Sequence, residues 1–105
     1  YSFFGAPVEM FIYIHKSLHI YAASDAGLMM ENLMLSAHGF GLGTCAQGAV
    51  NIWDDVVRDE FEVPKDYRLI CGIAIGYPSD SPVNSFQANR IDVEELLLKP
   101  KNHQI

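Results

Sequence analysis

The chain has 105 residues, half of them hydrophobic and only 19% charged. That is material for a single domain with a core, and it excludes a disordered acidic tail. Seven Lys and Arg against thirteen Asp and Glu give a net charge of −6, so the chain lacks the positive footprint that nucleic acid or an anionic membrane surface requires.

A chain this short buries only about two-thirds of its unfolded surface. A hydrophobic half in so small a body predicts apolar surface meant for a partner. Cys45 and Cys71 lie far apart and outside any CxxC. That pattern is neither a disulfide framework nor a zinc site, and it predicts small hydrophobes in a reducing, cytoplasmic setting. The apolar runs fall short of the ~18–20 residues of a membrane span. Residues 1–7 have no starting Met and no charged n-region, and they read as the middle of a longer sequence rather than a signal peptide.

Pro7 precedes Val8 to Ile14, a run of branched and aromatic residues with one charge. It predicts a strand buried on both faces. His15 to Ile20 predict a turn or loop. His15 and His19 stand four apart without a nearby acidic third ligand, so they read as solvent-facing rather than as a metal pair.

Tyr21 to Phe40 predict a helix that is apolar nearly all round, with Asp25 and Asn32 seven apart on one face. Such a helix is buried on all sides, and in a small domain a second subunit is the ready source of the far side. Asp25 and Asn32 read as members of an interface network. Gly27 costs roughly 1 kcal/mol against Ala, tolerable where another helix or a ligand approaches closely.

Gly39, Gly41 and Gly43 follow the helix instead of opening one, so they read as a C-cap and not as a dinucleotide fingerprint. A short strand, Thr44-Cys45-Ala46, comes next. The segment Gly41 to Gly48 is either a helix cap with a tight turn or a place where backbone N–H groups approach a flat ligand. Asn51 is a candidate N-cap for a short helix with Ile52, Val56, Val57 and Phe61 on one face. Asp54, Asp55, Arg58, Asp59 and Glu60 read as its solvated face. Tyr67 to Tyr77 predict a second apolar strand. Pro78 to Asn89 predict a loop, and Asp92 to Leu98 a short helix or arm. Arg90, after that loop, is either a surface arginine or a grip for phosphate or carboxylate. The order β-α-β-α-β predicts a layered α/β or α+β fold with a central sheet.

Taken together, several stretches resemble the nitroreductase family of FMN-dependent oxidoreductases. They are Phe3-Phe4-Gly5-Ala6-Pro7, Asp25-Ala26-Gly27 with Glu31-Asn32-Leu33, and Ser36-Ala37-His38-Gly39-Phe40-Gly41-Leu42-Gly43-Thr44-Cys45. They continue through Cys71 to Pro78 and Pro82-Val83-Asn84 to Arg90. The resemblance implies an α+β fold, a mixed sheet flanked by helices, in an intertwined homodimer with FMN in the subunit interface. It matches only the C-terminal part of the family pattern, as a truncated β-α-β-α-β core over residues 1–105. The resemblance implies that Cys45, Ala46, Gln47 and Gly48 bind the cofactor, with the backbone around Gln47-Gly48 matching the stretch that faces the flavin N5 edge. Arg90 matches a basic residue near the FMN phosphate, while Ser85 and Gln87 stand where relatives often carry further arginines.

The implied chemistry is ping-pong hydride transfer, in which NAD(P)H reduces FMN and a nitroaromatic or quinone-like acceptor reoxidises it. FMN carries the chemistry, so no catalytic acid–base dyad and no metal are expected. Two alternatives keep the fold. One is a non-catalytic flavin-binding or dimerisation fragment. The other is a reductive dehalogenase or dehydrogenase of the same superfamily.

Overall fold

The computed structural model describes residues 2–102; Tyr1 and residues 103–105, the ends of the expected domain, lie outside the described residues. Three strands form one sheet: β1 (Val8–His15), β2 (Gly43–Gln47) and β3 (Tyr67–Gly76). Their order is β1-β3-β2, and both pairings are antiparallel. The α+β class therefore holds. The mixed sheet implied by the resemblance is, among the described residues, an antiparallel one.

β3 is the centre of the molecule because its residues are branched, apolar and paired on both sides. Ile73 is fully buried, and Leu69, Gly72 and Ala74 are buried beside it. A shift of register between Ile12 and Tyr13 lets Ile12 face Cys71 while Tyr13 faces Leu69. The extra residue on the β3 side is a bulge, which bends the strand locally.

The long helix α1 (His19–Gly39) packs on one face of the sheet through Ala26 and Met30, which meet Ile12 and Ile73. It begins earlier than expected, so the predicted loop over His15 to Ile20 shrinks to three residues between β1 and α1. The opposite face carries a 3-10 turn (Gly48–Trp53) and the short helix α2 (Asp54–Glu60). There Val50, Val57 and Leu69 form a second small core with Phe11 and Tyr13 packed against it. Asn51 is not an N-cap. It sits inside the 3-10 turn, and Trp53 takes the cap position of α2 without a side-chain bond.

Within one chain, the covering that the sequence predicts for α1 and β1 is supplied only in part. Of α1 only Ala26, Met30 and Ala37 are buried. Ile20, Tyr21, Leu28, Leu35 and Phe40 are exposed. The strand β1 has one buried residue, Ile12, rather than two covered faces. A periodicity that is apolar all round needs covering on every side, and within one chain α1 is covered on one side only. Asp25 and Asn32 are exposed for the same reason.

Beyond β3 the chain runs as an exposed arm, with a 3-10 turn at Pro82–Ser85 and a single helical turn, α3 (Val93–Leu96). The arm gives the chain a radius of gyration of 18.1 Å, against about 13 Å for a compact domain of this length. Among the described residues no helix is long and apolar enough to cross a membrane.

Candidate functional site

The end of α1 fixes where β2 starts. Phe40 is the C-cap, and Gly41 follows it with φ +79°. Gly41 N–H donates to the His38 carbonyl at 2.9 Å, and Leu42 N–H donates to the Ala37 carbonyl at 3.0 Å. This reciprocal pair is a Schellman cap, and glycine is favoured there because other residues are strained at positive φ. The chain then turns straight into the edge strand β2.

Three separated motifs meet at this end of the sheet. Gly43 pairs with Gly76, and Val8 pairs with Ile75. A methyl group on Gly76 would stand 2.8 Å from Pro7 Cδ, and one on Gly43 would stand 3.3 Å from Pro78 Cβ. Both prolines thus pack over glycines, and larger residues at either glycine would separate the strand ends. Within the arm, Asn84 Nδ2 donates to the Ser79 carbonyl at 2.9 Å and closes the loop that begins there.

The strand β2 is paired on one side only, so alternate backbone groups along its outer edge face outward. Cys45 and Ala46 on it are exposed, and nothing lies within 4 Å of the place a side chain would take on Gly48. Small side chains, free backbone donors and open space together suit the edge of a flat heteroaromatic ligand. Cys45 is therefore not the packed hydrophobe its surroundings in sequence suggested. Both cysteines are free thiols, and Cys71 is half-buried.

Gln47 differs from its neighbours. It is 6% exposed, the one buried polar residue among those described. With its amide oriented by its partners, Nε2 donates to Glu9 Oε1 at 2.6 Å and to Oε2 at 3.2 Å. Burial pushes the Glu9 carboxyl above the usual carboxylate range. Sequence reading missed Glu9 as a functional candidate. Its signal was the lone acid in an otherwise apolar strand.

Arg90 stays on the exposed arm, where Nη1 donates to the Ala88 and Asn89 carbonyls at 3.1 and 3.2 Å. These bonds hold Arg90 to its own loop. Cys45, Ala46, Gln47 and Gly48 run consecutively through the end of β2 into the 3-10 turn, and Arg90 lies on the arm.

Two further features frame the site. Asp54 and Arg58 are not simply a solvated face. Tyr13 O–H donates to Asp54 Oδ1 at 2.8 Å, and Arg58 Nε donates to the same oxygen at 3.0 Å. Arg58 also reaches the carbonyls of Val63, Pro64 and Tyr67. One guanidinium thus ties α2 to the turn before β3, with Tyr13 supplying the tie to β1. Beside it lies a hollow of about 510 Å³ lined by Phe3, Phe11, Val50, Trp53, Val56, Val57, Glu60 and Phe61. Its lining is almost entirely carbon, without the convergent polar groups of a reactive centre. Among the described residues no group of His, Cys, Asp and Glu could hold a metal ion.

The elements thus form an antiparallel α+β core in which a capped helix feeds an open edge strand. The nitroreductase family model matches residues 1–77, and the chain belongs to that family. It is 32% identical over 97 residues to a chloronitrobenzene nitroreductase of Comamonas testosteroni, covering 91% of this chain and 43% of that protein. It is 33% identical over 95 residues to a 4-nitrobenzoate reductase of Nocardioides, covering 90% of this chain and 38% of that protein. Among solved structures, the FMN-dependent nitroreductase NfnB of Mycobacterium smegmatis in complex with NADPH superposes with a TM-score of 0.86 at 28% identity. That likeness covers 94% of this chain and 45% of NfnB. The chain spans about two-fifths of the length of the curated relatives it matches.

Proposed function

We propose that this chain forms the cofactor-facing part of an FMN-dependent oxidoreductase. It would take hydride from NAD(P)H, pass it to nitroaromatic or quinone-like acceptors by a ping-pong route, and work as a homodimer. The observation that carries the reading is the open edge of β2, where Cys45 and Ala46 are exposed and Gly48 leaves space over its backbone. When bound, FMN supplies the hydride chemistry, and the protein supplies orientation and electrostatics.

The roles left to this chain follow from its geometry. The outward-facing backbone N–H groups between Cys45 and Gly48 would donate to the ring edge, at no cost in reorganisation because the Schellman cap and the β3 pairing hold the segment. The small, exposed side chains at Cys45 and Ala46 would leave room for two substrates to use the same face in turn. Arg90 offers the phosphate a guanidinium through donors other than Nη1. Both free thiols agree with a cytoplasmic site.

The dimer is supported by α1. Leu28 and Leu35 are 66% and 60% exposed, and Tyr21 and Phe40 are 83% exposed. Apolar side chains at this density on one helix mark an interaction surface. Nothing lies within 4 Å of the side-chain position of Gly27, which leaves the helix open to close approach there.

Titration with FMN tests the reading. The purified protein should turn yellow, and NAD(P)H oxidation should then depend on an added nitroaromatic. A protein that stays colourless in excess FMN overturns it. A second reading, a flavin-binding or dimerisation module without turnover, is favoured by the bonding of Arg90 to its own loop. Steady turnover excludes that reading.

A further inference from the structure

Glu9 and Gln47 belong to strands that do not touch. Glu9 lies on β1 opposite Ala74, and Gln47 lies on β2 opposite Gly72. β3 runs between them, so their backbones are two strand spacings apart, roughly 10 Å. Their side chains meet because the residue beneath the crossing has none. A methyl group on Gly72 would collide with Glu9 Oε1 and would stand 3.2 Å from Val50 Cγ2. Gly72 is thus the gap through which a carboxylate reaches an amide.

The contact sits where β2 ends. Gln47 leaves the sheet with φ −126° and ψ 89°, and Gly48 begins the 3-10 turn. The ψ angle of Gln47 sets the plane of the peptide that carries the Gly48 N–H. A side chain held at 2.6 and 3.2 Å by both oxygens of one carboxylate restrains that residue. A half-buried carboxylate in an apolar strand is costly unless it is paired.

We propose that Glu9 is a positioning residue for the cofactor-facing peptide: by holding the Gln47 amide across Gly72, it fixes the direction of the Gly48 N–H. The inference rests on the flavin reading above, and it concerns residues of this chain that the reading leaves without a role. Glu9 itself touches no reacting atom. Burial pushes its carboxyl above the usual range, and the geometry of the Gln47 contact is what carries its role.

The test compares Glu9→Ala and Glu9→Gln in the FMN-loaded protein. The Gln variant keeps an oxygen that accepts from Gln47 Nε2. Glu9→Ala should lower kcat about tenfold, with KM for the acceptor within twofold, as expected when a donor loses its aim. It should also weaken binding of reduced relative to oxidised FMN by about tenfold, a fall of about 30 mV in the two-electron potential. Glu9→Gln should recover most of both. An unchanged potential in Glu9→Ala, or equal damage in Glu9→Gln, overturns the proposal.

A readout without FMN separates this inference from the function it rests on. In the FMN-free protein, the NMR signals of the Gln47 side-chain amide and the Gly48 backbone amide should move in Glu9→Ala and stay in Glu9→Gln. Gln47→Met keeps the length of the side chain without its amide and should move the Gly48 signal equally. If the protein takes up no FMN, the flavin reading fails and these spectra still decide the role of Glu9. A Gly48 amide indifferent to Glu9→Ala or to Gln47→Met refutes it.

Discussion

Replacing Tyr13 with Phe removes one hydroxyl and leaves the ring in place. The hydroxyl donates to Asp54 Oδ1 at 2.8 Å, which joins β1 to α2. A hydrogen bond to a charged acceptor contributes about 1.5–3 kcal/mol. Asp54 keeps Arg58 Nε at 3.0 Å, and both side chains are a little over a quarter exposed, so water can replace part of what is lost. The expected cost is therefore near the lower end, about 1.5 kcal/mol. Urea unfolding at a fixed protein concentration measures it, with the midpoint lowered and the slope unchanged.

The same bond predicts a pH signature. Burial first, then the bond to the Asp54 carboxylate, push Tyr13 up to about 12. The folded protein then holds this proton more tightly than the unfolded chain, whose tyrosine titrates near ~10. The sign follows from linkage: the stability is fully present below ~10 and is lost as pH rises through the folded value. Tyr13→Phe should lack that alkaline loss. A Phe variant within about 0.5 kcal/mol of the parent at neutral pH, with the same alkaline loss, would refute the reasoning.

Three other outcomes follow from the packing. Ile73→Ala empties a fully buried position at the centre of β3 and should cost about 3–4 kcal/mol by the same urea assay. Gly41→Ala forces a side chain into φ +79° at the end of α1 and should cost about 1 kcal/mol, seen as a lower thermal midpoint. Leu28→Glu places a charge on the exposed apolar side of α1 and should shift the protein from dimer to monomer in light scattering at micromolar concentration, without unfolding it by circular dichroism.

What the sequence made legible was local. The branched runs at Val8–Ile14 and Tyr67–Tyr77 and the glycine after an apolar helix each carry their own signal, and each element appears within a few residues of its predicted bounds. What escaped was long-range. The Tyr13–Asp54 bond spans 41 positions in sequence, so Asp54 reads as one acid in a solvated run. Glu9 and Gln47 lie on strands whose order, β1-β3-β2, no local pattern encodes. Asn51 looked like a cap because its chemistry is right. The backbone instead closes the turn in 3-10 form, and Trp53 stands at the cap position. The all-round apolarity of α1 predicts a covering surface from a second subunit, and within one chain Tyr21 on α1 and Phe40 at its C-cap stay largely exposed.

The exposed side of α1 and the open edge of β2 pose one physical problem. The C-terminal end of α1 runs into β2 through Phe40, Gly41 and Leu42, and α1 also packs directly against β2, so a change in how α1 is held reaches β2. An unpaired edge strand is an aggregation hazard unless something covers it, and an apolar helix face has the same requirement. If a second copy covers α1 and FMN lies along β2, each should steady the element that the other needs. Coupling of this kind is reciprocal: a change that weakens the dimer must weaken FMN binding by the same factor by which FMN strengthens the dimer. Leu28→Glu supplies the measurement, because Leu28 belongs to α1 and not to the β2 edge. Equal factors from an FMN titration and a dimer dissociation experiment would tie the two surfaces together. FMN affinity untouched in the monomeric variant would show that β2 binds its ligand within one chain.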